Sequence, residues 1–305
     1  MARRRRGLPV NGVLLLDKPA GLSSNAALQR ARRLFQAQKA GHTGTLDPMA
    51  TGLLPVCFGE ATKFSAHLLE ADKVYRTRVE LGAITDTGDA EGQLIERRAV
   101  PRLTEADVQG VLARFRGELE QVPPMYSALK HQGRKLYELA REGKSIERAA
   151  RRVTVYDARL LGLDDSAFEL EVRVSKGTYI RTLAEDIGQV LGCGAHISAL
   201  RRLATGPFTA EGMLTLEALE ALPGQAEREA ALLPVDALIE HLARLEIDGA
   251  AAHRLTHGQS ARVASGELAA GATARLYCDG AFIGLGVVTA PQEVAPKRLL
   301  SSAAD

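Results

Sequence analysis

Residues 41–52 read GHTGTLDPMATG and hold one carboxylate, Asp47, in a stretch that suits neither a regular helix nor a regular strand. Gly41, Gly44 and Gly52 permit backbone angles that other residues avoid. Pro48 fixes the chain just after the acid and pushes Asp47 away from helical angles. Residues 53–58, LLPVCF, then turn apolar as a buried strand does. The chain must therefore present Asp47 on a structured loop that runs into the core, with no lysine or arginine within five residues. A carboxylate held this way suits a nucleophile or a general base. Asp-Pro among glycines also builds ordinary turns, because an Asp side chain bonds its own backbone. The density of threonine and glycine around Asp47 weakens the turn reading and leaves both open.

The rest of the chain predicts strands mixed with helices and no regular βαβ alternation, hence an α+β fold with a mixed, largely antiparallel sheet. Residues 12–17 read as a strand, and Ser23 or Ser24 caps a helix running to about Phe35. A helix is expected over about 60–70. Residues 73–81, KVYRTRVEL, alternate as a half-buried strand, with a turn at 86–92 and a returning partner strand at 94–98. Thr104 with Asp107 caps a helix to about Phe115. Strands follow at 153–161 and 168–174, then a helix at 182–191. Residues 117–152 form a long basic insertion containing a short helix around 136–141, and a long excursion of that kind is often functional. Residues 222–234 read as a linker. Beyond about Leu245, strands at 260–263, 272–278 and 282–289 make a small β-rich module. The expected domains are thus 1–245 and 246–305.

Hydrophobic residues make up 46% of the 305, enough for a real core, and the net charge is only +2. That balance excludes a polycationic packaging protein but not a nucleic-acid partner, since distribution matters more than the sum. Basic clusters occur at Arg3–Arg6, Arg30–Arg33, Lys130–Arg141, Arg151–Arg152 and Arg201–Arg202. Together they point to an anionic partner. Cys57, Cys193 and Cys278 are far apart and include no CxxC, which argues against a disulfide framework or zinc site and for a reducing, cytoplasmic setting. No stretch reaches the roughly 20 apolar residues of a membrane helix.

Three more segments carry chemistry. Residues 18–24, KPAGLSS, read equally well as a phosphate cradle or as a strand-to-helix turn around Lys18, and they lack the GxxxxGK[ST] order of a phosphate loop. Tyr75 lies in the alternating strand, where an aromatic is commonly a packing residue. Residues 172–183, VRVSKGTYIRTL, place Arg181 at a strand-to-helix junction, where a guanidinium can pair with a buried carboxylate.

Five blocks carry a resemblance to a known family: LLLDKPAGLSS, GHTGTLDPMATGLLPVCFGEATKF, KVYRTRVELGAITDTGDAEG, PPMYSALKHQGRKLYELAREG and VSKGTYIRTLAEDIG. In this order they resemble the TruB family of tRNA pseudouridine-55 synthases over residues 12 to about 206, with weaker motifs beyond. The resemblance implies a pseudouridine synthase fold with a C-terminal PUA-like RNA-binding domain. It implies isomerisation of uridine 55 in the T-loop of tRNA, with base flipping and no cofactor or metal. By the same resemblance Asp47 is the nucleophile, Arg181 its ion-pair partner, and Tyr75 stacks on the flipped base or moves a proton. His42 fills the place the nucleotide leaves, and Tyr179 and Leu200 line the uracil pocket. Lys18, Lys63, Lys130, Arg141 and Arg202 are expected to contact tRNA. The partner is the tRNA T-arm, with a monomeric enzyme, no obligatory protein partner and no membrane. Two other readings are an RNA-binding or RNA-folding protein with secondary catalysis, and a guide-RNA-directed relative.

Overall fold

A computed structural model describes residues 7–264 and 266–301; the Arg3–Arg6 cluster lies outside the described residues. The architecture is α+β. An eight-stranded sheet runs in the order Gly12–Lys18, Thr51–Phe58, Ala195–Thr205, Lys73–Leu81, Ala167–Val174, Arg151–Leu163, Gly117–Gln121, with Ala40–His42 also paired to Thr51–Phe58. Only the contact of Thr51–Phe58 with Ala195–Thr205 is parallel.

The apolar run at residues 13–16 has a simple cause. Alternate side chains of a strand point to opposite faces, and here both faces are covered. Leu14 and Leu16 enter a core with Leu54, Val56, Phe58 and the helices Ser24–Leu34, Glu105–Arg114 and Ile180–Val190. Val13 and Leu15 enter a second core with Leu53, Cys57, Phe64, Leu238 and Leu285. Each fully buried leucine contributes about 1.5–3 kcal/mol relative to an exposed one.

The helices start where their caps dictate. Ser23 accepts from the amide of Ala26 at 3.1 Å, so it is the cap, and Ser24 turns inward. Thr104 and Asp107 exchange backbone bonds in a capping box. Ile180–Val190 begins two residues before the expected start and puts Arg181 in its first turn, with Tyr179 as the N-cap.

Four sequence expectations change. The helix over 60–70 is instead a 3-10 turn, Gly59–Lys63, and a short helix, Ala66–Leu69. The Ser65 hydroxyl bonds back to the Thr62 carbonyl at 3.0 Å and competes with a continuous helix. Leu94–Arg97 pairs with Ala83–Thr85 rather than with Lys73–Leu81, because both edges of the latter are taken by Ala167–Val174 and Ala195–Thr205. Residues 117–121 are the edge strand of the main sheet, paired to 151–155, so the basic excursion spans 122–150. The 222–234 segment is no linker. Leu233 exchanges backbone bonds with Val13 at 2.8 and 3.0 Å, and Leu232 packs on the first core.

Near the C-terminus a five-stranded sheet has the order Ala243–Ile247, Thr273–Cys278, Ala281–Ala290, Glu293–Leu299, Ala261–Arg262. It packs a helix, Gly249–Thr256, over its own small core. This unit docks on the second core: Phe64 and Phe282 meet edge-on at 5.5 Å, and Asp236 accepts from the Tyr277 hydroxyl and from Arg275. Among the described residues no helix is long and apolar enough to cross a membrane.

Candidate active site

Asp47 sits where the loop after Ala40–His42 approaches the main sheet. Three anchors fix that loop. The buried Ser24 hydroxyl donates to the Leu46 carbonyl at 3.0 Å and accepts from its amide at 2.7 Å. The Pro48 carbonyl accepts from the Gly21 amide at 2.9 Å and from the Lys18 ammonium at 3.2 Å. The Arg202 guanidinium donates to the carbonyls of Leu53 at 2.6 Å and Gly44 at 3.3 Å. Gly52 is required: its φ is +97°, and a Cβ there would lie 2.3 Å from the Arg202 carbonyl oxygen.

From the helix Ile180–Val190, Arg181 reaches the loop. Its Nε lies 3.0 Å from Asp47 Oδ2, and Nη1 lies 3.5 Å from Asp89 Oδ2. Nη1 also donates to the Thr87 carbonyl at 2.8 Å and Nη2 to the Tyr126 carbonyl at 2.7 Å. The Arg181 side chain is 4% exposed, so its charge depends on these partners. One guanidinium thus ties together the Asp47 loop, the 86–92 turn and the basic excursion, a fan of contacts that a lysine cannot make.

A cavity of about 960 Å³ opens over this pair. His42, Asp47, Tyr75, Tyr179, Arg181 and Leu200 all line it. They come from separate elements: the end of Ala40–His42, the loop, the strand Lys73–Leu81, the N-cap and first turn of one helix, and the strand Ala195–Thr205. Tyr75 and Leu200 are nearly buried, 9% and 8% exposed, so each shows one face to the cavity.

The five expected tRNA contacts sit in different environments. Arg141 lines the cavity from the excursion, over the ring of Tyr137 at 5.4 Å. Lys130 is exposed on the excursion's hairpin. The other three donate inside the protein. Lys18 is fully buried, with its ammonium on the carbonyls of Pro19 and Pro48. Arg202 is 1% exposed, lines the cavity and braces the Asp47 loop. Lys63 bonds Glu60 at 2.7 Å, the Leu299 carbonyl at 2.9 Å and Ser301 at 2.9 Å, which makes it a link to the C-terminal unit.

Electrostatics follow from burial. Desolvation pushes the Asp47 carboxyl above its ordinary value, and the Arg181 guanidinium opposes this. Burial pushes the Lys18 ammonium down to about 8 against the pull of Asp47. It also lowers His42, helped by Arg202, so this imidazole is neutral near pH 7. Glu185, one turn along the helix from Arg181, is pushed up to about 7 by burial and by Asp186.

Sequence reasoning missed Asp89, Thr87, Tyr126 and Ser24. Asp89 sits in TDTGDAEG, whose mixture of Thr, Gly and Asp resembles that around Asp47; that composition was the available signal. Among the described residues no group of three or more His, Cys, Asp or Glu side chains is arranged to hold a metal ion.

Comparisons with known proteins identify the family. The family model for the TruB family pseudouridylate synthase N-terminal domain matches residues 32–180. A tRNA pseudouridylate synthase B C-terminal domain model matches 181–240, and a pseudouridine synthase II TruB C-terminal model matches 243–300. The tRNA pseudouridine synthase B of Chromohalobacter salexigens is 69% identical over 303 residues, covering 99% of this chain and 98% of its own. That of Aromatoleum aromaticum is 54% identical, covering 97% and 94%. Among solved structures, a Cbf5-Nop10-Gar1 complex contains a chain with a TM-score of 0.70 and 26% identity, covering 96% of this chain and 85% of that one. An H/ACA RNP bound to a substrate RNA containing 2′-deoxyuridine gives 0.72 at 24% identity, over 98% and 91%, a likeness of fold. The chain belongs to the TruB family of pseudouridylate synthases.

Proposed function

We propose that the protein converts uridine 55 in the T-loop of tRNA to pseudouridine, with Asp47 as the nucleophile. The observation that carries this reading is the Asp47–Arg181 pair at 3.0 Å on the wall of a roomy cavity lined by Tyr75, Tyr179 and Leu200. The reaction breaks the C1′–N1 glycosidic bond and forms C1′–C5. It removes the C5 proton and leaves N1 protonated. A carboxylate must attack the nucleotide, the freed uracil must stay bound while it turns, and a base must take the C5 proton. Asp47 supplies the carboxylate, and Arg181 opposes the desolvation that favours its protonated form. Tyr75, Tyr179 and Leu200 enclose the ring, and Tyr75, whose side chain lines the same cavity, is the candidate for proton transfer.

A uridine stacked in a folded loop cannot reach Asp47, so it must flip out at a cost of a few kcal/mol. Stacking on Tyr75 offsets part of this, and His42, uncharged and at the cavity wall, takes the vacated place. Lys130 and Arg141 place the 122–150 excursion against the phosphates of the T-arm. The C-terminal unit acts as a PUA-like second hold on the tRNA. The enzyme works in the cytoplasm as a monomer, without an obligatory protein partner. An excursion that itself lines the cavity favours this autonomous mode over guidance by a separate RNA.

The test is to incubate the protein with unmodified tRNA and with an isolated T-arm stem-loop and to map pseudouridine by sequencing. Modification confined to position 55 in both is expected. Its absence from both would overturn the proposal.

A further inference from the structure

The edge strand Gly117–Gln121 and the strand Arg151–Leu163 flank the 122–150 excursion, and Gln121 and Arg151 are direct partners across them. Side chains of such a pair stand on the same side of the sheet. Both of these reach Tyr179. The carboxamide of Gln121, 3% exposed, accepts from the Tyr179 amide at 2.7 Å and donates to the Tyr179 carbonyl at 3.0 Å. The Arg151 guanidinium lies 4.9 Å from the centre of the Tyr179 ring. One partner thus holds the backbone of Tyr179 and the other its ring.

Tyr179 needs an outside hold. It is the N-cap of the helix that carries Arg181, and it makes no capping bond with its own side chain. The preceding turn passes through Gly177 at φ +78°, a position that gives the chain no rigidity of its own. Gln121 does what a neighbouring strand does, satisfying both polar groups of one residue at the point where the helix begins. Arg151 also lines the catalytic cavity, whereas Gln121 does not. Moving Tyr179 moves the first turn of the helix, and with it the Nε that meets Asp47.

We infer that Gln121 and Arg151 form a positioning clamp on Tyr179, one that sets the wall of the uracil pocket and the placement of Arg181 for the reaction proposed above, on which this inference rests. Catalytic geometry must be held within about 0.5 Å by supporting residues. A clamp built from the two roots of the excursion also links the hold on RNA to the alignment of the reacting groups. Gln121 acts through Tyr179 from outside the cavity, and Arg151 acts on the Tyr179 ring from the cavity wall.

The test uses the full chain with Gln121→Met, which keeps length and removes both bonds, with Arg151→Met, and with the double variant. Three quantities are read: the single-turnover rate on a T-arm stem-loop at saturating enzyme, Kd for the same RNA, and the melting temperature. Each single variant is expected to slow the single-turnover step at least about tenfold, and Gln121→Met, outside the cavity, is expected to keep Kd within about threefold, because alignment rather than binding is lost. The double variant is expected to be no more than about threefold slower than the slower single, because both side chains act on one target. A folded Gln121→Met protein with a rate within about twofold of wild type overturns the clamp, as does a rate loss that appears only at subsaturating enzyme. If Gln121→Met does not fold, Arg151→Met decides by the same criteria. Wild-type protein that forms no pseudouridine on this RNA overturns the reaction; wild-type turnover with fast variants overturns the clamp alone.

Discussion

Arg181 Nε and Asp47 Oδ2 lie 3.0 Å apart across 134 residues of chain, and the rest of the guanidinium is spent on Asp89 and on the carbonyls of Thr87 and Tyr126. The pair therefore acts as a junction as well as a counterion. Arg181→Lys keeps the charge but loses the fork. Turnover on a T-arm stem-loop is expected to fall at least about a hundredfold. A lysine variant within about threefold of wild type would show that charge alone suffices.

Tyr75 separates packing from stacking. Tyr75→Leu is expected to abolish most turnover, far beyond what its loss of stability accounts for, because the side chain lines the cavity. Tyr75→Phe keeps the ring and loses the hydroxyl, and it is expected to bind tRNA normally and turn over slowly. If the losses in Phe and Leu instead followed their losses in stability, Tyr75 would be a core residue only.

What the sequence made legible follows from where its information is dense. His42, Asp47, Tyr75, Tyr179, Arg181 and Leu200 are spread over more than half the chain, yet the motif blocks hold the first five, the family resemblance adds Leu200, and the fold brings all six to one cavity. The sheet was readable because alternation in KVYRTRVEL and the apolar run at residues 13–16 record how many faces each strand buries. Basic residues were not readable in this way. A lysine's identity does not tell whether its ammonium faces an RNA phosphate or a backbone carbonyl, and Lys18, Lys63 and Arg202 face carbonyls. Asp89 was hidden because an Asp in a Thr-Gly turn satisfies local turn chemistry equally well. The 222–234 segment looked like a linker because its partner, Val13, lies more than 200 residues away in sequence.

The same distinction gives a salt test. Arg141 lines the cavity mouth from the excursion, so Arg141→Gln is expected to reduce the log–log salt slope of tRNA binding by roughly 0.7 to 0.9. Lys63 is held by Glu60, Leu299 and Ser301, so Lys63→Gln is expected to leave the slope unchanged while weakening the docking of the C-terminal unit. A larger slope change from Lys63 than from Arg141 would reverse the assignment.

Glu185 links this site to pH. Its folded-state carboxyl is raised to about 7 from 4.5, chiefly by burial. A carboxyl raised on folding favours its protonated form in the native protein. Its stabilising contribution is therefore complete below about pH 4.5 and is lost as pH rises through about 7. Glu185→Gln should remove that loss, so the variant should gain on wild type between pH 5 and pH 8, by at most about 3 kcal/mol and less for the part of the side chain open to water. Urea denaturation at the two pH values checks this; identical pH dependence in the two proteins would show that Glu185 titrates normally.

The central claim is that Asp47 carries out the reaction, and the direct measurement is pseudouridine formed at position 55 of a T-arm stem-loop by Asp47→Asn beside wild type, together with Kd for that RNA. The substitution preserves shape and removes the charge that Arg181 faces. No detectable pseudouridine is predicted, with Kd within about tenfold of wild type, or ~1.4 kcal/mol. An Asp47→Asn protein that forms pseudouridine at a rate near wild type would contradict the account.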